Sequence, residues 1–331
     1  MKGKERESEY LPFRGKTILI TGGAGYIASS LAFLLKDIDC RIIRIYRQGS
    51  CPMQMTAKAQ IIDVLGDVCD QIVWEKNLAE GVDYIFHFAA QTSTYVANAD
   101  PVADQATNVQ PMLNLLEACR QQGRQPTVCF ASTVTVTGIP SSLPVDESHP
   151  DHPVTVYDLH KQMAEQYLRW YAEQGWVRGV TLRLANVYGP GPRSSQADRG
   201  ILNQMILKAL AGETLTIYGT GDQVRDYLYI EDAARAFLSA GLQSKKLNGK
   251  YFVIGSGKGY TIAEAIKLVA DLASARTSVP VQVINVKPSR DLSPIEHRNF
   301  VADSSQFCRS TGWKAKHTLV KGIELTMEAF S

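Results

Sequence analysis

The apolar residues of this chain fall into short β-branched runs that alternate with stretches of helical spacing. Lys16 to Thr21 (KTILIT), Cys40 to Tyr46, Ile61 to Val68, Tyr84 to Ala90 (YIFHFAA) and Thr127 to Ala131 read as strands. Val180 to Leu184 and Lys250 to Ile254 (KYFVI) add two more. Between them, Tyr26 to Leu35 and Val109 to Cys119 place apolar residues on helical faces, and Ile201 to Ala211 and Thr261 to Leu272 do so further on. Thr261 and Glu264 stand at the spacing of a capping box. Strands that alternate with helices predict an α/β fold, a Rossmann-like doubly wound parallel sheet with helices on both faces. Ligands bind such sheets at the carboxyl ends of the strands. Gly22 to Gly25, Asp67, Ala89 to Gln91 and Thr133 all sit at or just past predicted strand ends.

After Leu184 the texture changes. Gly189-Pro190-Gly191-Pro192 breaks regular structure and a polar loop follows through Arg199. The pattern predicts a dinucleotide-binding domain over 15–186 plus about 226–257, and a smaller C-terminal substrate-binding lobe over 187–225 plus 258–331. The polar stretch Met1 to Arg14 lacks the apolar core of a signal peptide and reads as a flexible tail.

Composition narrows the class without deciding it. The chain has 331 residues, 45% hydrophobic and 21% charged, with a formal net charge of +2. That balance gives no case for nucleic acid or an acidic membrane surface, and no apolar run approaches a membrane span. Six cysteines are scattered without a C-x-x-C pair or an adjoining His cluster, which argues against a metal site or a disulfide framework. A reducing cytoplasm is the expected setting.

Three features carry chemistry. The turn Thr21-Gly22-Gly23-Ala24-Gly25-Tyr26-Ile27-Ala28 follows a strand and opens a helix, as a dinucleotide fingerprint does. Its glycines allow a tight turn and close approach of a pyrophosphate to backbone N–H groups. Downstream, Tyr157 and Lys161 stand four apart on one helix face. A free tyrosine titrates near ~10, so a neighbouring ammonium is needed to make it a usable base near neutral pH. The end of the second strand reads Arg44-Ile45-Tyr46-Arg47-Gln48-Gly49-Ser50, with no carboxylate to hold the ribose hydroxyls of NAD. Arg47 suits a 2′-phosphate, which tips the choice between NAD and NADP slightly towards NADP; the alternative is a solvated surface arginine.

Taken together, TGGAGYI at Thr21, GDV at Gly66, HFAAQ at His87, Asn108, STVTVTG at Ser132, YDLHK at Tyr157 and LRLANVYGPG at Leu182 resemble the extended short-chain dehydrogenase/reductase family. The likeness is to its NAD(P)-dependent nucleotide-sugar epimerases and dehydratases. IYGTGDQVRDYLYIEDAARAF from Ile217 and the closing VADSSQF…TGW extend it, from Lys16 to about Gly322. The resemblance implies that Tyr157 is the general base or acid, that Lys161 lowers its pKa and holds the nicotinamide ribose, and that Thr133 bonds the reacting sugar oxygen. It places Gly22, Gly23, Gly25, Tyr26, Ile27, Asp67, Val68, Ala89, Ala90, Gln91 and Asn108 around the cofactor, with Asp67 and Val68 at the adenine. It places Gln91, Asn186, Tyr218, Arg225 and Arg290 towards the substrate, Asn186 and Arg225 at its diphosphate and Tyr218 near its base. The bland alternatives are a turn cap for Asn186, a pair with Asp226 or Asp222 for Arg225, and a core position for Tyr218.

Some positions depart from the family pattern. Thr133 is followed by Val134, Thr135 and Val136, so the acid that performs elimination in the 4,6-dehydratases, and the Glu of a related decarboxylase class, are missing from this strand end. The usual V-Y-G reads Val136-Thr137-Gly138, and His160 reads as incidental, on another helix face. The expectation is therefore a nucleotide-sugar 4-epimerase that passes through a 4-keto sugar. A 4-keto-sugar reductase using NADPH is the alternative, and a non-catalytic nucleotide sensor is disfavoured by the intact Thr133, Tyr157 and Lys161. Surplus apolar residues on two helices (Met112, Leu113, Leu115, Leu116; Met163, Tyr167, Leu168, Trp170, Tyr171) suggest a homodimer.

Overall fold

The computed structural model describes residues 9–192, 200–287 and 293–330. Its main sheet has seven parallel strands: β1 Thr17–Thr21, β2 Arg41–Tyr46, β3 Gln60–Leu65, β4 Tyr84–His87, β5 Thr127–Thr133, β6 Arg178–Leu184 and β10 Lys250–Ile254. Their order across the sheet is β10-β6-β5-β4-β1-β2-β3. The chain runs outward from β1 through β3, then returns to the other side of β1 for β4, so the order reverses between β1 and β4. Such a reversal opens a crevice at the strands' carboxyl ends.

Alternation along each strand feeds two cores. In β1, Ile18 and Ile20 face the helices Tyr26–Leu35 and Ile230–Leu242, where Leu31, Leu35 and Phe237 are fully buried. Leu19 faces the other way, with Ile43 and Ile85, towards the helices Gln71–Leu78, Gln110–Gln122 and Val156–Glu173. Met112, Leu115, Leu116, Leu168 and Tyr171 belong to this second core. Their apolar character therefore serves the chain's own sheet and gives no argument for a dimer.

A third core lies beyond Leu184. Strand β7 (Asn186–Tyr188) pairs in parallel with β9 (Val224–Tyr229), which pairs antiparallel with β11 (Gly259–Thr261). Strands β8 (Leu215–Tyr218) and β12 (Val283–Val286) form a separate parallel pair. The helices Ile201–Leu210, Ile262–Thr277 and Leu319–Phe330 complete this core. The capping box of Thr261 and Glu264 is formed. The C-terminal stretch is not confined to it: Phe307 and Trp313 pack in the first core beside Phe252, with ring centroids of Phe252 and Phe307 5.3 Å apart.

The flexible tail expected through Arg14 does not include Tyr10 and Phe13. Tyr10 and Phe13 are buried in the first core, and the Phe13 ring meets the edge of Tyr84 at 4.9 Å. These two aromatic rings fix residues 10–13 against the sheet. No helix among the described residues is long and apolar enough to cross a membrane.

Candidate active site

Strand β1 delivers the glycine turn into the crevice. Gly22 adopts a φ of +62°, and a Cβ there would sit 3.0 Å from the Ala89 backbone nitrogen. Gly23 lies so close to the second strand that a Cβ would meet the Arg44 Cβ at 2.6 Å. The left-handed position is thus Gly22, while Gly23 serves strand packing. Gly25 caps the helix Tyr26–Leu35 with no side-chain cap and no acid in the first turn. Its first N–H groups and positive dipole end are left for an anion, so the turn fits a dinucleotide pyrophosphate.

Thr21 joins this turn to the end of β4. Its hydroxyl oxygen accepts from the N–H groups of Phe88 and Ala89, both at 3.0 Å, so its proton goes to His87 Nδ1 at 2.9 Å. This capture explains why β4 ends at His87 rather than Ala90: the next two N–H groups leave the ladder for a side chain. Burial, followed by the charge of Lys161, holds His87 down at about 3, so it is a neutral scaffold group. The Tyr26 hydroxyl donates to Gly189 O at 2.6 Å and accepts from Asn203 Nδ2 at 3.1 Å, tying its helix to the turn at Gly189 and to the helix Ile201–Leu210. Its side chain is thereby engaged, and only its backbone is left to serve the turn.

At the adenosine end, Arg44 is buried in a bidentate pair with Asp63 on β3, at 2.7 and 2.8 Å, and also donates to Met53 O. Arg44 is thus structural. Arg47 lies past the strand end and is exposed. It sits close enough to Cys69 to oppose the burial and the Asp67 contact that push that thiol up to about 12. Asp67 caps the turn by accepting from Cys69 N–H at 2.9 Å, and Val68 O accepts from the Trp74 indole at 2.7 Å.

Thr133 ends β5, and the helix Val156–Glu173 opens beside it. Thr155 caps that helix by accepting from Asp158 N–H at 3.2 Å. Tyr157 and Lys161 are both buried, one turn apart. The Lys161 ammonium lies 4.1 Å from the centre of the Phe130 ring. Burial pushes its pKa down to about 7, against the pull of Glu165 and Asp104. Below it, Glu165 accepts from Ser132 and pairs with Arg183 at 2.6 Å, while Arg183 also reaches Asp151 at 2.8 Å. This buried network locks the helix to the strand that carries Thr133.

His160 is not incidental. It is buried, and its Nδ1 lies 2.7 Å from Asp104 Oδ2. The other oxygen of Asp104 accepts from Gln91 Nε2 at 2.7 Å and Asn108 Nδ2 at 2.9 Å, and Asn108 also donates to Gln91 O at 3.0 Å. One buried carboxylate therefore orders Gln91, Asn108 and the Tyr157 helix together. Asp104 and Asn108 stand four apart on one helix face, but nothing local in the sequence marks His160 as their neighbour.

Towards the substrate end, Asn186 opens β7, paired with Tyr227. Arg225 is buried and pairs with neither Asp226 nor Asp222. It donates to the carbonyls of Glu296 at 2.8 Å and Arg298, and lies 3.7 Å from the Glu296 carboxylate. Asp226 instead clamps Ser256, Gly257 and Ala302 through its carboxylate. Tyr218 is 54% exposed, so it is no core residue. Arg290 lies outside the described residues.

Known proteins resemble this chain over most of its length. The model of the NAD dependent epimerase/dehydratase family matches residues 18–255. The UDP-glucose 4-epimerase of Azospirillum brasilense is 29% identical over 320 residues, covering 92% of this chain and 89% of that protein. The structure of Thermotoga maritima UDP-glucose 4-epimerase with UDP-glucose superposes with a TM-score of 0.83 at 29% identity, over 95% of this chain and 98% of that one. The UDP-glucose 4-epimerase of Thermus thermophilus in complex with NAD gives 0.78, also at 29% identity and over the same shares. With a seven-stranded doubly wound sheet, a glycine turn shaped for pyrophosphate and a Tyr157–Lys161 helix beside Thr133, the chain belongs to the NAD-dependent epimerase/dehydratase family of the extended short-chain dehydrogenase/reductases.

Proposed function

We propose that this chain is a nucleotide-sugar 4-epimerase that works through a transient 4-keto sugar. The observation that carries the reading is the assembly of Thr133, Tyr157 and Lys161 beside a pyrophosphate-shaped turn. Relatives over nearly the whole chain are UDP-glucose 4-epimerases, one solved with UDP-glucose and another with NAD. A bound nicotinamide dinucleotide supplies a hydride acceptor that can also return the hydride. Tyr157 removes the proton of the sugar hydroxyl and returns it on the other face. Lys161 favours the phenolate by its charge and holds the nicotinamide ribose, and Thr133 bonds the same sugar oxygen. Gly22, Gly23, Gly25 and Ile27 hold the pyrophosphate side of the cofactor, Asp67 and Val68 the adenine side, and Ala89, Ala90, Gln91 and Asn108 the pocket between. Asn186 and Arg225 serve the substrate diphosphate, with Tyr218 at its base.

The test is to incubate the protein with UDP-glucose and look for UDP-galactose, and to identify the dinucleotide released on denaturation. Retained NAD with interconversion supports the reading. No interconversion, with an empty site that takes up NADPH, points to the second reading, a keto-sugar reductase. That alternative is favoured by the exposed Arg47 and the missing acid at the end of β2. If Arg47 recognises a 2′-phosphate, Arg47→Ala weakens NADP binding by about 1.5–3 kcal/mol and leaves NAD nearly unchanged. Equal losses for both dinucleotides in a titration would reject that role.

A second copy of the chain is proposed as partner, on a narrower face than the sequence suggested. Leu159 and Trp170 are 46% and 48% exposed on one side of the Tyr157 helix. Val102 is 78% exposed on the helix Pro101–Asn108, which packs against it.

A further inference from the structure

Residues two apart on a strand share a face, and on β5 Phe130 and Ser132 both face the helix Val156–Glu173. Ser132 meets Glu165 there, and Phe130 meets Lys161, one turn nearer the start of the helix. The Lys161 ammonium lies 4.1 Å from the centre of the Phe130 ring. That ring is fully buried and packs on the ring of His87 from β4, with centroids 5.8 Å apart and planes 24° from parallel. It is therefore a fixed surface for the lysine.

The carboxylates around Lys161 are bonded to other groups. Asp104, on the helix Pro101–Asn108, is shared among His160, Gln91 and Asn108. Glu165 is taken by Ser132 and Arg183, whose charge offsets its own. Both carboxylates favour the ammonium through charge at a distance. Of the remaining titratable neighbours, His87 is neutral and Tyr157 stands one turn before the lysine. The face of an aromatic ring carries negative charge density, so it attracts the ammonium and does little for the neutral amine. Because burial brings the lysine down to about 7, an attraction of this kind decides how much of it is charged at neutral pH.

We propose that Phe130 is a positioning residue for Lys161, its ring face holding the ammonium in place and in its charged form, so that Tyr157 has its counter-charge before the substrate arrives. This rests on the reading of Tyr157 as the base and of Lys161 as the group that favours its phenolate. Weakening the ring's attraction penalises the charged form alone, so the lysine pKa falls and less of it is charged at a given pH.

The experiment uses the full-length protein with Phe130 replaced in turn by mono-, di- and trifluorinated phenylalanine. Fluorine drains the negative face of the ring and nearly keeps its shape, so no cavity forms and folding is preserved. In the ligand-free protein labelled with ε-¹³C lysine, the resonance lost in Lys161→Met identifies the residue and reports its titration. The acid dissociation constant of Lys161 rises with each added fluorine, by about tenfold in total for the trifluorinated ring. With NAD bound and UDP-glucose as probe, the trifluorinated protein turns over more slowly than the wild type, and its deficit grows with pH. The deficit is about twofold one pH unit below the wild-type lysine midpoint and about tenfold one unit above it, as a tenfold change in that dissociation constant requires. A dissociation constant that does not follow the fluorine count overturns the proposal, as does a turnover deficit of equal size at every pH. If the wild type does not act on UDP-glucose, the epimerase reading fails separately, and the lysine titration, which needs no substrate, decides this one.

Discussion

Replacing Lys161 with methionine separates the electrostatic cost of this residue from its catalytic use. In the ligand-free protein the ammonium is buried over Phe130, and burial holds its pKa at about 7. An unfolded lysine titrates near ~10.4. Between these values the unfolded chain binds a proton that the folded chain does not, so stability rises with pH across that window. The penalty is fully present below about pH 7 and is relieved as the pH climbs towards ~10.4. At ~1.36 kcal/mol per pH unit, a gap of roughly 3.4 units makes it on the order of 5 kcal/mol. Lys161→Met has no such titration and fills much of the same space with an unbranched apolar chain. Urea unfolding of both ligand-free proteins at pH 7, 8 and 9 reads the difference. The variant gains on the wild type at neutral pH, and its advantage shrinks by on the order of 2 kcal/mol by pH 9. A difference that stays constant across this range refutes the reasoning, because a packing change alone has no pH slope. Activity moves the opposite way, since the variant has no charge to favour the Tyr157 phenolate.

Three further outcomes are expected. Tyr157→Phe keeps the ring and removes the titrating oxygen, so turnover falls by roughly two or more powers of ten while dinucleotide binding persists; a near-normal rate removes Tyr157 from the mechanism. His160→Ala breaks the buried contact with Asp104 and destabilises the protein by about 1.5–3 kcal/mol in urea unfolding, with weaker dinucleotide retention as Gln91 and Asn108 lose their common anchor. An unchanged retention shows that the His160 contact holds the fold alone. Light scattering finds a dimer of the wild type at micromolar concentration and a monomer of Trp170→Glu, which puts a charge into the exposed apolar face; a wild-type monomer ends the dimer proposal.

Much of the fold was legible because its signals are local. A β-branched run buried on both faces, such as Lys16 to Thr21, has few other ways to bury its residues, and the observed strand covers Thr17–Thr21. The glycine turn was legible for the same reason, since Gly22 needs its positive φ whatever surrounds it. The capping box and the Tyr157–Lys161 pair depend on helical spacing alone.

What failed to show in the sequence concerns groups far apart in the chain. The roles of His160 and Asp104, 56 positions apart, depend on two helices meeting, and neither residue has a local pattern that names its partner. Arg225 looked ready to pair with nearby Asp226, yet each is turned to different backbone groups by the packing of the smaller lobe. Apolar surplus on the helices Gln110–Gln122 and Val156–Glu173 looked like an interface, but the sheet and neighbouring helices cover most of it. Tyr10 and Phe13 turned an apparent tail into part of the first core. The sequence by itself determined the seven strands of the main sheet, their parallel sense and the identity of the chemical groups, because backbone propensity, side-chain period and motif spacing act over a few residues, whereas the short strands beyond Leu184 carry no such pattern. The tertiary structure alone decided which polar groups meet, because a buried carboxylate such as Asp104 or Asp158 takes its hydrogen bonds from whatever the packing brings within reach.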